Sequence, residues 1–133
     1  MTRPDWNTYF LDLAKAASTR ATCSRLQVGC VLVRARVIVS TGYNGAARGD
    51  THCGDMDHTQ GHCERSVHAE ANAIALAARE GLSSNGTIAY VTHRPCQACY
   101  RLLLNAGVTR VIYAESYGDP YIPLSVSMEK RNV

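Results

Sequence analysis

Two short stretches hold residue types that can do chemistry together: His68-Ala69-Glu70, and Pro95-Cys96-Gln97-Ala98-Cys99, with Cys96 lying 28 residues beyond His68. Cys96 and Cys99, three positions apart, share one face of a first helical turn and can chelate one ion. The N-terminus of a helix also favours the thiolate form that zinc requires. His68 supplies a third ligand. One His and two Cys leave a fourth position for water, which is the pattern of a catalytic zinc; structural sites are closed by four protein groups. Zinc held in this way lowers the pKa of its water toward ~7–9. Glu70, two residues after His68, reaches that water and not the metal. Its carboxylate can take a proton there and hand it to a leaving group. A lone Cys-x-x-Cys would read equally well as core thiols or half of a structural site. The His-x-Glu beside it turns the reading to catalysis.

The elements that must carry these residues follow from period and punctuation. Asp5 to Ala21 reads as an amphipathic helix, with Trp6, Phe10, Leu13 and Ala17 at helical spacing and Asp5, after Pro4, as its N-cap. Val28–Val33 and Val37–Thr41 are β-branched runs around Arg34-Ala35-Arg36, a hairpin ended by the turn Gly42-Tyr43-Asn44-Gly45. Residues 46–66 show no period, and so long a loop needs a ligand or a function. Ala69–Glu80 and Cys96–Ala106 read as helices stopped by Gly81 and Gly107; Thr87–Thr92 and Arg110–Ala114 read as strands. Both candidate ligand groups thus open a helix. Pro120 and Pro123 interrupt residues 116–133, so four strands are defined and a fifth is left open. This order implies one α/β domain over residues 1–133, layered around a mixed sheet of four to five strands.

The bulk properties narrow the classes. The chain has 133 residues, 46% of them apolar, enough for one core without staples. Its net charge of +3 comes from scattered residues (Arg3, Arg20, Arg34, Arg36, Arg48 and Arg65 among them), without the Lys/Arg run that grips a polymer. A small anionic ligand fits better than polymeric nucleic acid. The N-terminus lacks a signal-peptide core, and no run approaches the ~20 apolar residues of a membrane span. The expected location is the cytoplasm, or the host cytoplasm for a phage-encoded chain. In that reducing setting, six Cys and five His argue for metal over disulfides.

His-x-Glu with Pro-Cys-x-x-Cys is the signature of zinc deaminases. The resemblance extends over most of residues 4–122. Trp6-Asn7-Thr8-Tyr9-Phe10, Cys23 to Gly29, Ser40 to Gly45, His68 to Ala73 and Tyr90 to Cys99 all resemble deoxycytidylate deaminases, above all the short late-competence type and their phage relatives. The resemblance implies a three-layer α/β/α sandwich, usually assembled as a hexamer, that deaminates dCMP to dUMP and feeds dTMP synthesis. It implies catalytic zinc on His68, Cys96 and Cys99 with Glu70 as proton carrier. It further implies that Val28 packs on the pyrimidine, that the Ala69 N–H contacts the base, and that Asn44 bonds the deoxyribose; tolerance of αL backbone would also explain a turn asparagine.

Arg25, expected to be buried, and Tyr117 are the phosphate candidates. His93 is placed at the site mouth, Cys30 in the core and His52 at the periphery. Relatives carry a second, structural zinc; here Cys23, Cys53, His58 and His62 are its candidate ligands, His58 and His62 sharing a helical face, with Cys63 the alternative to His62. Relatives also respond to dCTP with Mg2+ and to dTTP, which would draw on Gly42, Tyr43, Gly45 and Arg79, although a cation in a helix's last turn is also explained by the helix dipole. Four other readings stay open. These are a tRNA adenosine deaminase, a free-nucleoside cytidine deaminase, a deaminase of 5-modified dCMP, and a non-catalytic zinc module, against which the intact Glu70 argues.

Overall fold

The computed structural model describes residues 2–52, 58–59, 62–63, 66–118 and 127–132, with 58–59, 62–63 and 127 described by backbone. Helix α1 spans Trp6–Ser18, and the Asp5 carboxylate caps it by accepting the Thr8 N–H at 2.8 Å. Strands β1 (Gly29–Arg34) and β2 (Val37–Tyr43) pair antiparallel. Ala35 and Arg36 turn the chain between them, both at positive φ, as a two-residue turn with the twist of a hairpin requires. Four two-residue strands follow: β3 (Gly45–Ala46), β4 (His58–Thr59), β5 (His62–Cys63) and β6 (Ser66–Val67). Then come α2 (Ala69–Arg79), β7 (Ile88–His93), α3 (Gln97–Asn105), β8 (Arg110–Glu115) and β9 (Ser127–Lys130).

The main sheet has the order β2-β1-β7-β8-β9. β1 is antiparallel to both neighbours, whereas β7, β8 and β9 run parallel, so the sheet is mixed. Period-two alternation divides its side chains between two cores. Cys30, Leu32, Ala89, Val91 and Val111 pack against Ala69 and Ala73 of α2 and Tyr100 and Leu103 of α3. Val31, Val33, Tyr90, Ile112 and Ala114 pack on the other face against Phe10, Leu11 and Ala14 of α1. The three layers are as expected from sequence, and they put the first turns of α2 and α3 side by side on one face.

One open point is decided and two local readings need correction. The fifth strand exists. β9 pairs in parallel with β8, Met128 packs against the core, and Arg110 and Arg131 hold Glu129 at 2.7 and 3.3 Å. The interval 46–66 is not one long loop, because β3 pairs with β6 and β4 with β5. His58 and His62 therefore do not share a helical face; they lie in paired strands, with His58 opposite Cys63 and Thr59 opposite His62. Finally, Gly42 to Gly45 is not a turn, since Gly42 and Tyr43 end β2 and Gly45 opens β3. Glycine is needed at 42 because a Cβ there would meet the Ala69 carbonyl and, at 2.5 Å, the Ala73 nitrogen of α2. Close packing on α2, not turn chemistry, accounts for the glycine.

Candidate active site

His68 is the N-cap of α2 and Cys96 the N-cap of α3, so the two chemical motifs meet where two helices begin. Pro95 immediately precedes Cys96 and, lacking an N–H, suits a chain entering a helix. The Cys96 sulfur accepts the Cys99 N–H at 3.4 Å, so it caps the helix as well. The His68 ring makes no capping bond and faces the sulfurs. Its Nδ1 lies 3.6 Å from Cys96 Sγ and 3.3 Å from Cys99 Sγ.

These distances fit one zinc ion. Bonds of about 2.3 Å to sulfur and 2.0 Å to nitrogen, at a tetrahedral angle, put S and N about 3.5 Å apart. The three ligand atoms lie within 4.8 Å of one another, and among the described residues no other group of His, Cys, Asp or Glu does so. A hydrogen bond from the Cys99 thiol draws the Cys96 thiol well down from its ordinary value, toward the thiolate form that a metal needs. The same bond, together with burial, pushes the Cys99 thiol up, and the bond to Cys96 raises the His68 pKa. The protons held on Cys99 and His68 are what a divalent cation displaces when it binds the three groups.

Glu70 sits in the first turn of α2, 4% exposed. Burial is the chief cause that lifts its carboxyl from 4.5 to about 7, the range in which a group both takes and gives a proton at neutral pH. Cys30 lies behind it in the core, its thiol pushed up by burial.

A single cavity collects the catalytic and all the substrate candidates: Arg25, Val28, Asn44, His68, Ala69, Glu70, Cys96 and Tyr117 all line it. Asn44 is not at positive φ, so αL tolerance does not explain it. Its Oδ1 accepts the Val28 N–H and its Nδ2 donates to the Leu26 carbonyl, both at 2.7 Å, which holds the 26–28 loop as a wall of the cavity. One N–H and one lone pair of the amide remain for a ligand. Arg25 is exposed on the rim rather than buried, and Tyr117 is 47% exposed there.

Leu26, Ser66, His93 and Arg94 also line the cavity. Of these, sequence reasoning placed only His93. Its Nδ1 is 2.9 Å from the Thr92 hydroxyl, which accepts the Gly29 N–H, and burial lowers its pKa. Arg94 donates to the carbonyls of Tyr117 and Gly118 at 2.9 and 3.1 Å, so it fixes the rim that carries Tyr117. Its place beside the Pro-Cys motif was the available signal; its partners, more than twenty residues away, left none.

Cys23 is buried but lines this same cavity. Cys53 falls outside the described residues, and for His58, His62 and Cys63 only the backbone is described. Arg79 is exposed at the end of α2 beside Glu80, 3.5 Å from its carboxylate, while Tyr43 is exposed and Gly45 packs on Thr22. No described helix is long and apolar enough to cross a membrane.

Comparison with known proteins agrees with this geometry. ComE operon protein 2 of Bacillus subtilis is 40% identical over 119 residues, covering 88% of this chain, which spans 63% of that protein's length. Deoxycytidylate deaminase of Mycobacterium phage D29 is 42% identical, covering 85% of this chain and 97% of its own. Among solved structures, dCMP deaminase of cyanophage S-TIM5, in complex with dCMP and dUMP, superposes with a TM-score of 0.83 at 28% identity, covering 98% of this chain and 100% of the other. The family described as the cytidine and deoxycytidylate deaminase zinc-binding region matches residues 4–115, and this chain belongs to it.

Proposed function

We propose that the chain hydrolyses dCMP to dUMP and ammonia. The observation that carries the reading is Glu70, buried and lining the cavity beside the His68, Cys96 and Cys99 cluster. Zinc, when bound there, supplies Lewis-acid activation of water at its open position. Glu70 takes a proton from the attacking water and delivers it to the departing amine. Val28 and the Ala69 N–H receive the base, Asn44 the sugar, and Arg25 and Tyr117 at the rim the phosphate. Because Arg25 is exposed, an unfilled phosphate site costs little, and the preference for nucleotide over nucleoside rests on bonds gained rather than on a penalty avoided.

A panel of cytosine, cytidine, deoxycytidine, dCMP, dCTP and 5-methyl-dCMP, read by product and ammonia release, tests this reading. dCMP should be the best substrate, by ~10-fold or more over deoxycytidine, the scale of one charge-assisted bond. Equal efficiency on the nucleoside would remove the phosphate assignment. A second, structural zinc on Cys23, Cys53, His58 and either His62 or Cys63 belongs to the same proposal, as do a hexameric assembly and regulation by dCTP with Mg2+ and by dTTP. Elemental analysis giving one zinc per chain removes the second site, and a dCMP curve unmoved by either nucleotide removes the regulation.

A further inference from the structure

Asn72 has no part in the chemistry above, yet its side chain joins the two halves of the site. It is the fourth residue of α2, between Ala71 and Ala73, where alanine would serve a helix better. Its Nδ2 donates to the Tyr43 carbonyl at 2.8 Å and to the Val67 carbonyl at 3.3 Å, which engages both of its protons. Each acceptor directly precedes a site residue. Val67 leads into His68. Tyr43 leads into Asn44, whose own amide grips Leu26 and Val28. Two asparagine side chains in series therefore run from the wall of the cavity to a metal ligand. Beside them, β3 and β6 contribute only the pairs Gly45–Val67 and Ala46–Ser66, a ribbon too short to hold a register by itself.

We infer that Asn72 is a positioning residue: its amide fixes the register between the substrate side of the cavity, held through Asn44, and the metal ligand His68. Alanine at 72 would keep the helix and lose the register.

The test needs a readout that general stabilisation does not move, and the fold supplies a matched control. Ser40 of β2 donates to the Ala73 carbonyl at 2.8 Å, a second side-chain bond between β2 and α2, one residue along the helix and more deeply buried than that of Asn72. Cobalt(II) loaded in place of zinc reports ligand geometry through its visible absorption, and competition with a chelator reports the rate of metal loss. Asn72→Asp keeps the shape but turns oxygen toward both carbonyls; Asn72→Ala serves if that variant fails to fold. Either should shift the cobalt spectrum and speed metal loss about 10-fold, the low end for groups that orient a ligand. Ser40→Ala should lower the melting temperature without doing either. The inference is overturned if the Asn72 variants keep the wild-type spectrum and metal-loss rate, or if Ser40→Ala moves both equally. A wild type that takes up no cobalt would overturn the metal centre itself and the inference with it.

Discussion

The N-termini of the three described helices are used in two different ways. Asp5 at the start of α1 is an exposed carboxylate whose visible work is to accept the Thr8 N–H and meet Arg131 at 3.1 Å. At the starts of α2 and α3 the same structural slot holds His68 and Cys96, which face each other across 3.6 Å. Asp, Ser, Thr and Asn are the residues that cap best, and caps of that kind contribute about 0.5–2 kcal/mol each. His68 makes no capping bond at all, and Cys96 makes a sulfur bond of 3.4 Å. Two helix starts thus give up good caps, and what they gain is a pair of rigid platforms with positive dipole ends aimed at thiolates and a carboxylate.

The most severe way to break this contrast is Cys96→Ser. Serine is a better cap than cysteine, so α3 should hold its start and the protein its melting temperature in the metal-free state. Zinc content and deaminase rate should both fall to background. If the variant retains zinc and turnover, the cap is not a ligand and the comparison collapses. Glu70→Ala comes next in size. It should keep zinc and fold while losing at least ~10²-fold in turnover, the lower end for general acid–base catalysis. Zinc content measured beside the rate separates a lost proton carrier from a lost metal.

How much of this was readable without a structure follows the same division. His68, Glu70, Cys96 and Cys99 were legible because their roles depend on short spacings, two or three residues, set by the first turn of a helix. The layers were legible too, since unbroken apolar, β-branched runs such as Val28–Val33 declare a strand buried on both faces. What escaped was whatever depends on a distant partner. Gly42 looked like a turn glycine because its neighbour, the α2 backbone, is some thirty residues off. β9 escaped because Ser127 to Lys130 is short and mostly polar, and its pairing with β8 is fixed by Met128 and by Glu129 between two arginines. Asn72 reaches the Tyr43 carbonyl and Arg94 those of Tyr117 and Gly118, all more than twenty residues away, and no spacing announces that.

The pH dependence of stability sharpens the comparison at a smaller scale. In metal-free protein the Glu70 carboxyl is raised from 4.5 to about 7, so the folded state holds its proton more tightly than the unfolded state. The resulting stabilisation is fully present below pH 4.5 and is lost as pH rises through about 7. The whole change is about 3 kcal/mol, from 1.36 kcal/mol per unit. Glu70→Gln does not titrate, so denaturant midpoints for the two metal-free proteins should diverge across that window. Parallel curves would mean that the carboxyl is not held in the buried setting described for it.

The smallest expected effect concerns Asp5, and its sign is opposite. The Thr8 backbone N–H, the first cause, and Arg131 hold the Asp5 carboxyl below its ordinary 3.8. Its stabilisation is therefore complete above pH 3.8 and is lost as pH falls through the lower folded value. Asp5→Ala should lower the melting temperature at neutral pH by about 3–5 °C, the scale of one lost cap in a domain of this size. Rate and zinc content should be untouched, because Asp5 lies at the far start of α1 and does not line the catalytic cavity. Asp5→Asn keeps an oxygen for Thr8 but has no charge for Arg131, so it should recover most of the loss, the ion pair being exposed. It should also flatten the acid limb of the stability curve, where Asp5 titrates and asparagine cannot. Should Asp5→Ala instead reduce zinc content or turnover, the division between a helix start that serves the fold and two that serve the chemistry would not hold.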